Sequence, residues 1–233
     1  IDELQFDLGE GPCWDAMRSA QPVLAPSIRT IGATRWPAFT HSVIQDGVSS
    51  VFAFPLTVGP VRFGAIDMYS AAPVRLSETQ TRQAGAMAEI VSRHVLRRAL
   101  AAQGYQETIA YSFVEARWEH ELAGNADPIR VLNPIAAPLA VMRSSLIGSL
   151  VATLRHNLAH RAPRVRIFEA GRVYVRNAAA ADGEVAVGGI DQPMRLAALA
   201  YGPVNALQWG EPERVIDFFD AKGDVEALLA PRA

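Results

Sequence analysis

Residues 164–175 read RVRIFEAGRVYV. The first five, RVRIF, read as a β-strand. Glu169 to Gly171 read as a tight change of direction, and residues 172–175 (RVYV) as a returning strand paired with the first. Upstream, Leu146, Leu150, Leu154 and Leu158 recur every four residues, which predicts a helix over 142–157 with Ser144 and Ser145 in its first turn. Asn133-Pro134 predicts a turn after an extended segment at 129–132. Residues 116–122 read as a short helix. In residues 105–114 (YQETIAYSFV), Ile109, Tyr111 and Phe113 alternate with period two and predict a strand. Downstream, residues 177–189 form an Ala/Gly-rich loop of disordered character, residues 194–201 (MRLAALAY) a strand, and DFFD at 217–220 leads into a helix from about Lys222 to Leu229.

The first hundred residues carry a different pattern. Gly9, Gly11 and Pro12 make a turn before a short helix over 13–20, and residues 22–25 are extended. A polar loop follows, and Pro37 opens a helix to about Gln45. Residues 48–56 and 61–69 are rich in Val, Phe, Ile and Tyr and flank a turn with Gly59 and Pro60, an antiparallel hairpin. Ser77 and Gln80 form a capping box. The helix they start carries Ala84, Met87, Ala88, Val91, Val95 and Leu96 on one face and runs unbroken to Gly104, a C-cap.

Composition narrows the classes. The 233 residues suit one large or two small domains, and a net charge of −2 gives no reason for broad attraction to nucleic acid or membrane. Lys222 is the only lysine and Cys13 the only cysteine, so no internal disulfide forms and a reducing compartment is expected. No run of 18 apolar residues exists. The N-terminus lacks both a signal-peptide pattern and an initiator methionine, which reads as a cut. P-loop, GxGxxG, GxSxG and CxxC patterns are absent. His156 and His160 share a helix face at a spacing that suits a metal. With no carboxylate or third ligand beside them, they read as an exposed basic face. Cys13, at a helix start, reads as a buried structural cysteine, and Asp67 as solvent-facing on an alternating strand.

From Gly104 onward, GYQE followed by YSFV, NP followed by MR-SL, FEAGRVY, Trp209 and DFFDAKGD resemble, in order, the β subunit of bacterial phenylalanyl-tRNA synthetase. Before about Leu96, LGEGPCWDA, SVFAFPL and FGAIDMYS resemble the later two-thirds of a GAF sensor domain. The implied fold is α+β in two modules. Residues 1–96 would be a GAF-like sheet with helices, truncated at its N-terminus. Residues 97–233 would be an antiparallel sheet like that of class II synthetases, truncated at its C-terminus. The two would join through a long helix.

The synthetase resemblance implies a catalytically silent β core that packs on the α subunit, meets tRNA only within the holoenzyme and binds no cofactor itself, ATP and magnesium belonging to α. Asn133, Pro134, Met142, Arg143, Phe168, Glu169, Gly171, Asp217, Phe218 and Lys222 would then shape the fold and the α–β interface. The strand pair at 164–175 is placed like the ATP-binding hairpin of class II enzymes. Arg164, Arg166 and Arg172 could clamp phosphate there, but they read as pairing with acidic neighbours such as Glu169 or facing the interface. No glycine-rich stretch followed by Glu-Arg, the third class II signature, occurs. The GAF resemblance implies a ligand pocket lined by Trp14, Trp36, Phe39, Phe52, Phe54 and Met68, though apolar residues at such spacing read first as core packing. A cytoplasmic location and self-association through unpaired sheet edges are expected. Two alternatives stand beside this reading: a small-molecule-sensing GAF signalling protein, or an artificial fusion with no single biological function.

Overall fold

The computed structural model describes residues 2–183, 186–206, 208–210 and 212–229. They divide into two compact units, residues 2–96 with 227–229, and residues 97–226.

The first unit is built on one hairpin. β2 (Ser50–Val58) pairs antiparallel with β3 (Val61–Ser70), and β1 (Val23–Ala25) pairs antiparallel with the other edge of β2, giving the order β1-β2-β3. Side chains on β2 alternate between two packed faces. Val51 and Ala53 join a core with Trp36, Phe39 and Val43, while Phe52, Phe54 and Leu56 pack with Ala88. The sheet is therefore covered on both sides, which is why β2 reads as an almost continuous apolar run.

Five helices accompany it: α1 (Asp2–Leu8), α2 (Pro12–Ser19), α3 (Ile28–Arg35), α4 (Pro37–Gln45) and α5 (Glu78–Ala102). The capping box forms at the start of α5: Ser77 N–H donates to Gln80 Oε1 at 2.9 Å, and Gln80 N–H donates to Ser77 Oγ at 3.3 Å. Gly104, at φ 83°, closes its far end. Three expectations are corrected here. The polar loop before Trp36 is the helix α3, whose apolar content is confined to the ends of one turn. Met87, assigned to the packed face of α5, is exposed, because the buried stripe runs through Ala88, Ser92 and Leu96 instead. Asp67 is also not simply solvent-facing, since its Oδ2 accepts from Gln5 Nε2 at 2.6 Å and from the Tyr69 hydroxyl at 3.2 Å.

The second unit centres on β7 (Val165–Arg172), an uninterrupted strand. It pairs antiparallel with β10 (Met194–Tyr201) from Val165↔Tyr201 to Arg172↔Met194, and parallel with the short β4 (Gln106–Glu107). The expected hairpin within 164–175 does not form. Glu169 to Gly171 stay in the strand because β10 supplies hydrogen-bond partners along its whole length. Two-residue strands complete the unit. β5 (Phe113–Val114) pairs with β6 (Val141–Met142), and β8 (Val175–Arg176) with β9 (Ile190–Asp191).

Helix α7 (Ile147–Ala159) packs Leu150 and Leu154 against Val165, Ile167, Ala197 and Leu199. It starts later than the leucine spacing predicts, since Val141 and Met142 are held in the ladder with β5. The expected strand over 105–114 is likewise reduced to its ends. Ile109 and Tyr111 are exposed, so their alternation marks no buried face. The remaining helices are α6 (Ala116–Ala123) and α8 (Phe218–Leu229). The DFFD string caps α8 reciprocally: Asp220 N–H donates to Asp217 Oδ1 at 3.1 Å, and Asp217 N–H donates to Asp220 Oδ2 at 2.9 Å.

Candidate functional site

Where β7 leaves its apolar face, the second unit is held by buried charge. The side chains of Arg143 and Glu169 are 3% and 4% exposed and meet at 2.6 Å between Nη1 and Oε1. Arg143 follows β6, and its other donors reach the carbonyl of Arg172 from Nε at 3.1 Å and that of Tyr111 from Nη1 at 3.5 Å. Its main chain also bridges segments: its N–H donates to Ser112 O, and its carbonyl accepts from Tyr174 N–H, both at 2.9 Å. One residue thus ties together three stretches of chain that local sequence does not link. Gly171 makes room for it, because a Cβ there would collide with Arg143 Nη2. Burying two charges is tolerable only with such close geometry and extra hydrogen bonds.

A second carboxylate is buried with no cation paired to it among the described residues. Glu119 on α6 is 2% exposed. It accepts from Ser144 N–H at 3.0 Å, from the Ser144 hydroxyl and from Asn125 Nδ2 at 2.9 Å. Ser144 and Ser145 therefore precede α7 rather than sit in its first turn, and Ser145 Oγ accepts from Ile147 N–H.

A third cluster joins β7 to α8. Asp224 Oδ2 accepts from the Tyr105 hydroxyl at 2.7 Å and from Arg166 Nη1 at 2.8 Å, while the Arg166 guanidinium lies 5.4 Å from the Tyr105 ring centre. Burial, then the neighbouring Asp224 carboxylate, push the Tyr105 hydroxyl up to about 12. Burial, then the adjacent Arg166 charge, hold Arg164 below the ordinary guanidinium value. Arg164 donates to the carbonyls of Pro203 and Val204, and Arg172 to that of Gln192. Arg164, Arg166 and Arg172 are thus engaged, but not with Glu169, which Arg143 takes.

Of the residues singled out in the sequence, Arg143, Glu169 and Gly171 come together, with Met142 in the adjoining ladder and Phe168 buried beside them in β7. Asn133 and Pro134 are exposed in a bend. Asp217, Phe218 and Lys222 lie on or before α8, with Phe218 exposed and Lys222 paired with Glu226. Glu119, Tyr105, Arg166 and Asp224 were not picked out as a group. Their partners are distant in sequence, and no spacing signals them.

In the first unit, the residues expected to line one pocket are divided by the sheet. Trp36 and Phe39 belong to one core, and Phe52, Phe54 and Met68 to the other. Trp14 donates from its indole to Gln5 O at 2.8 Å and packs edge-on to Phe6. Cys13 is buried. Among the described residues, no group of three or more His, Cys, Asp or Glu could hold a metal ion, and no helix is long and apolar enough to cross a membrane.

The family described as the phenylalanyl tRNA synthetase beta chain CLM domain matches residues 73–232. The chain belongs to this family. Its relatives include the phenylalanine–tRNA ligase beta subunits of Burkholderia pseudomallei (strain 1710b), 59% identical over 140 residues, and Cupriavidus pinatubonensis, 57% identical over 141 residues. That of Ralstonia nicotianae is 54% identical over 138 residues. These alignments cover 60%, 60% and 59% of this chain but 17% of each relative, so the chain spans about a sixth of their length. The family match starts at residue 73, ahead of α5, and takes in that whole helix.

Proposed function

We propose that the chain acts as a non-catalytic structural module of a phenylalanine–tRNA ligase β chain, supporting an α subunit during aminoacylation of tRNA in the cytoplasm. The supporting observation is the Arg143–Glu169 pair. A site that grips a triphosphate needs arginines free to face the ligand. Here the arginine at the centre of the unit is 2% exposed and engaged by a carboxylate and two carbonyls. The guanidiniums of Arg164, Arg166 and Arg172 are likewise directed to Asp224 and to main-chain oxygens. Such a network fixes the relative positions of strands and leaves bond-making to a partner subunit, which would carry ATP and magnesium.

Of the residues 1–96 expected to form a GAF-like module, 73–96 fall within the synthetase family match; the GAF-like reading is kept for residues 1–72, supported by the antiparallel order β1-β2-β3 with helices packed on it. Its aromatics pack as core, so a small-molecule sensor is the second reading only.

The test is co-purification with the α subunit of a bacterial phenylalanine–tRNA ligase, read by light scattering, with calorimetric titration of ATP into the isolated chain. A stable complex and no ATP heat are expected. ATP binding by the chain alone, or a well-folded chain that never captures α, would sink the proposal.

A further inference from the structure

Helix α8 is built inside out. Asp220, Asp224 and Leu228 recur at one-turn spacing and form its least exposed face, while Phe218, Phe219, Val225 and Leu229 are exposed. Leu228 is the only buried side chain of the helix. An ordinary surface helix turns its apolar stripe to the core and is held by that burial. α8 turns two carboxylates and one leucine inward instead. Among the described residues, no other helix or strand packs broadly along it.

One residue makes its distant hydrogen bonds. Asp224 Oδ2 accepts from the Tyr105 hydroxyl and from Arg166 Nη1, and the Asp224 carbonyl accepts from Gln103 Nε2 at 3.2 Å. Among the described residues, no other part of α8 hydrogen-bonds to chain outside 214–229. The Arg214–Asp220 pair and the Asp217–Asp220 cap belong to its first turn and its base. That base is fixed. Val204 N–H donates to Arg214 O at 2.9 Å and Ile216 N–H to Gly202 O at 3.0 Å, so residues 214–216 run beside the stretch that follows β10.

The helix is also weak in itself. It has 12 residues, a length at which an isolated helix is marginal in water. Gly223 stands in its middle, where glycine lowers helix stability. No packing requires a glycine there, since an added Cβ would meet nothing within 4 Å. Few apolar contacts, a polar attachment and low intrinsic helicity are the marks of an element that opens locally while the rest of a domain stays folded.

We propose that α8 is a strap: clipped to β7 through Asp224, it opens from the fixed base at 214–216 while the β7–β10 sheet stays folded. Opening bares the Tyr105 hydroxyl and the Arg166 guanidinium, so the strap controls access to that part of β7. The device does not depend on the ligase reading.

The test is native-state hydrogen exchange of the full 233-residue chain, read by mass spectrometry across low urea concentrations. Amides of 218–229 are expected to exchange through an opening that urea barely affects, well before those of β7 and α7. Asp224→Ala is expected to speed that exchange about tenfold or more, and Tyr105→Phe about threefold or more, with β7 still protected. Gly223→Ala is expected to slow it about fivefold. Leu228→Ala should matter less than Asp224→Ala. Exchange of α8 only together with β7, with the urea dependence of whole-unit unfolding, would overturn the inference. So would a Leu228→Ala effect larger than that of Asp224→Ala, which would make α8 an ordinarily packed helix. Neither result bears on capture of the α subunit, which tests the ligase reading separately.

Discussion

The two units are stabilised in opposite ways around similar three-stranded sheets. In the first, β2 is sandwiched between apolar layers, and Trp36, Phe39 and Phe54 are almost fully buried. In the second, the apolar cluster of Leu150, Val165 and Ile167 lies on the α7 side of β7, and the other face buries Phe168 beside charged side chains. The rest is organised by Arg143–Glu169, Glu119–Ser144 and Tyr105–Asp224–Arg166. Packing tolerates volume-conserving change but not cavities. A buried ion pair tolerates replacement of both partners but not of one. The difference predicts how each unit fails.

The largest losses are expected where each strategy is broken at its centre. Phe39→Ala in the first unit and Arg143→Met in the second should each cost about 3–5 kcal/mol in urea unfolding, for a cavity and for an orphaned buried carboxylate respectively. Calorimetry that finds Arg143→Met nearly neutral would break the comparison. Gly171→Ala should cost about 1–3 kcal/mol, because the added methyl meets the Arg143 guanidinium and the strand must shift.

Smaller is the effect of Tyr105→Phe, about 0.5–1.5 kcal/mol near neutral pH for one hydrogen bond. It carries a pH signature as well. The folded hydroxyl titrates at about 12 and the unfolded one near 10. The native state therefore holds the proton longer, and its contribution is complete below pH 10 and is lost as pH rises to 12. Denaturation midpoints over that window should fall more steeply for the native chain than for Tyr105→Phe. Smallest is the acid limb of Asp220. Arg214, then the Asp217 N–H, hold its carboxyl at about 2, so its contribution persists above the usual carboxylate value near 4 and disappears as pH falls through 2. Asp220→Asn should flatten that limb without moving the midpoint at pH 7 appreciably.

Periodic apolar spacing made most of the first unit legible. Residues 48–56 and 61–69 gave the hairpin, Pro37 the start of α4, and Ser77 with Gln80 the cap of α5, since each signal is local. The second unit was harder to read because its decisive partners are remote: Arg143 and Glu169 lie 26 residues apart, and Tyr105 and Asp224 lie 119 apart. Glu169-Ala170-Gly171 resembled a turn, but the glycine serves a close approach to a side chain, and β10 keeps the strand straight. Ile109 and Tyr111 alternate like a strand face but stand exposed, where packing does not decide. The motif strings did mark Arg143, Glu169 and Gly171, though not what they do to one another. Glu119 had no signal beyond an acid on a short helix.

The most direct test of the claim that the second unit is a charge-held scaffold is a double-mutant cycle on Arg143→Met and Glu169→Leu, with unfolding free energies for all four proteins. The account predicts that each single variant loses about 3–5 kcal/mol and that the double variant recovers most of it, for a coupling of at least about 2 kcal/mol. Additive losses, with no recovery in the double variant, would contradict it.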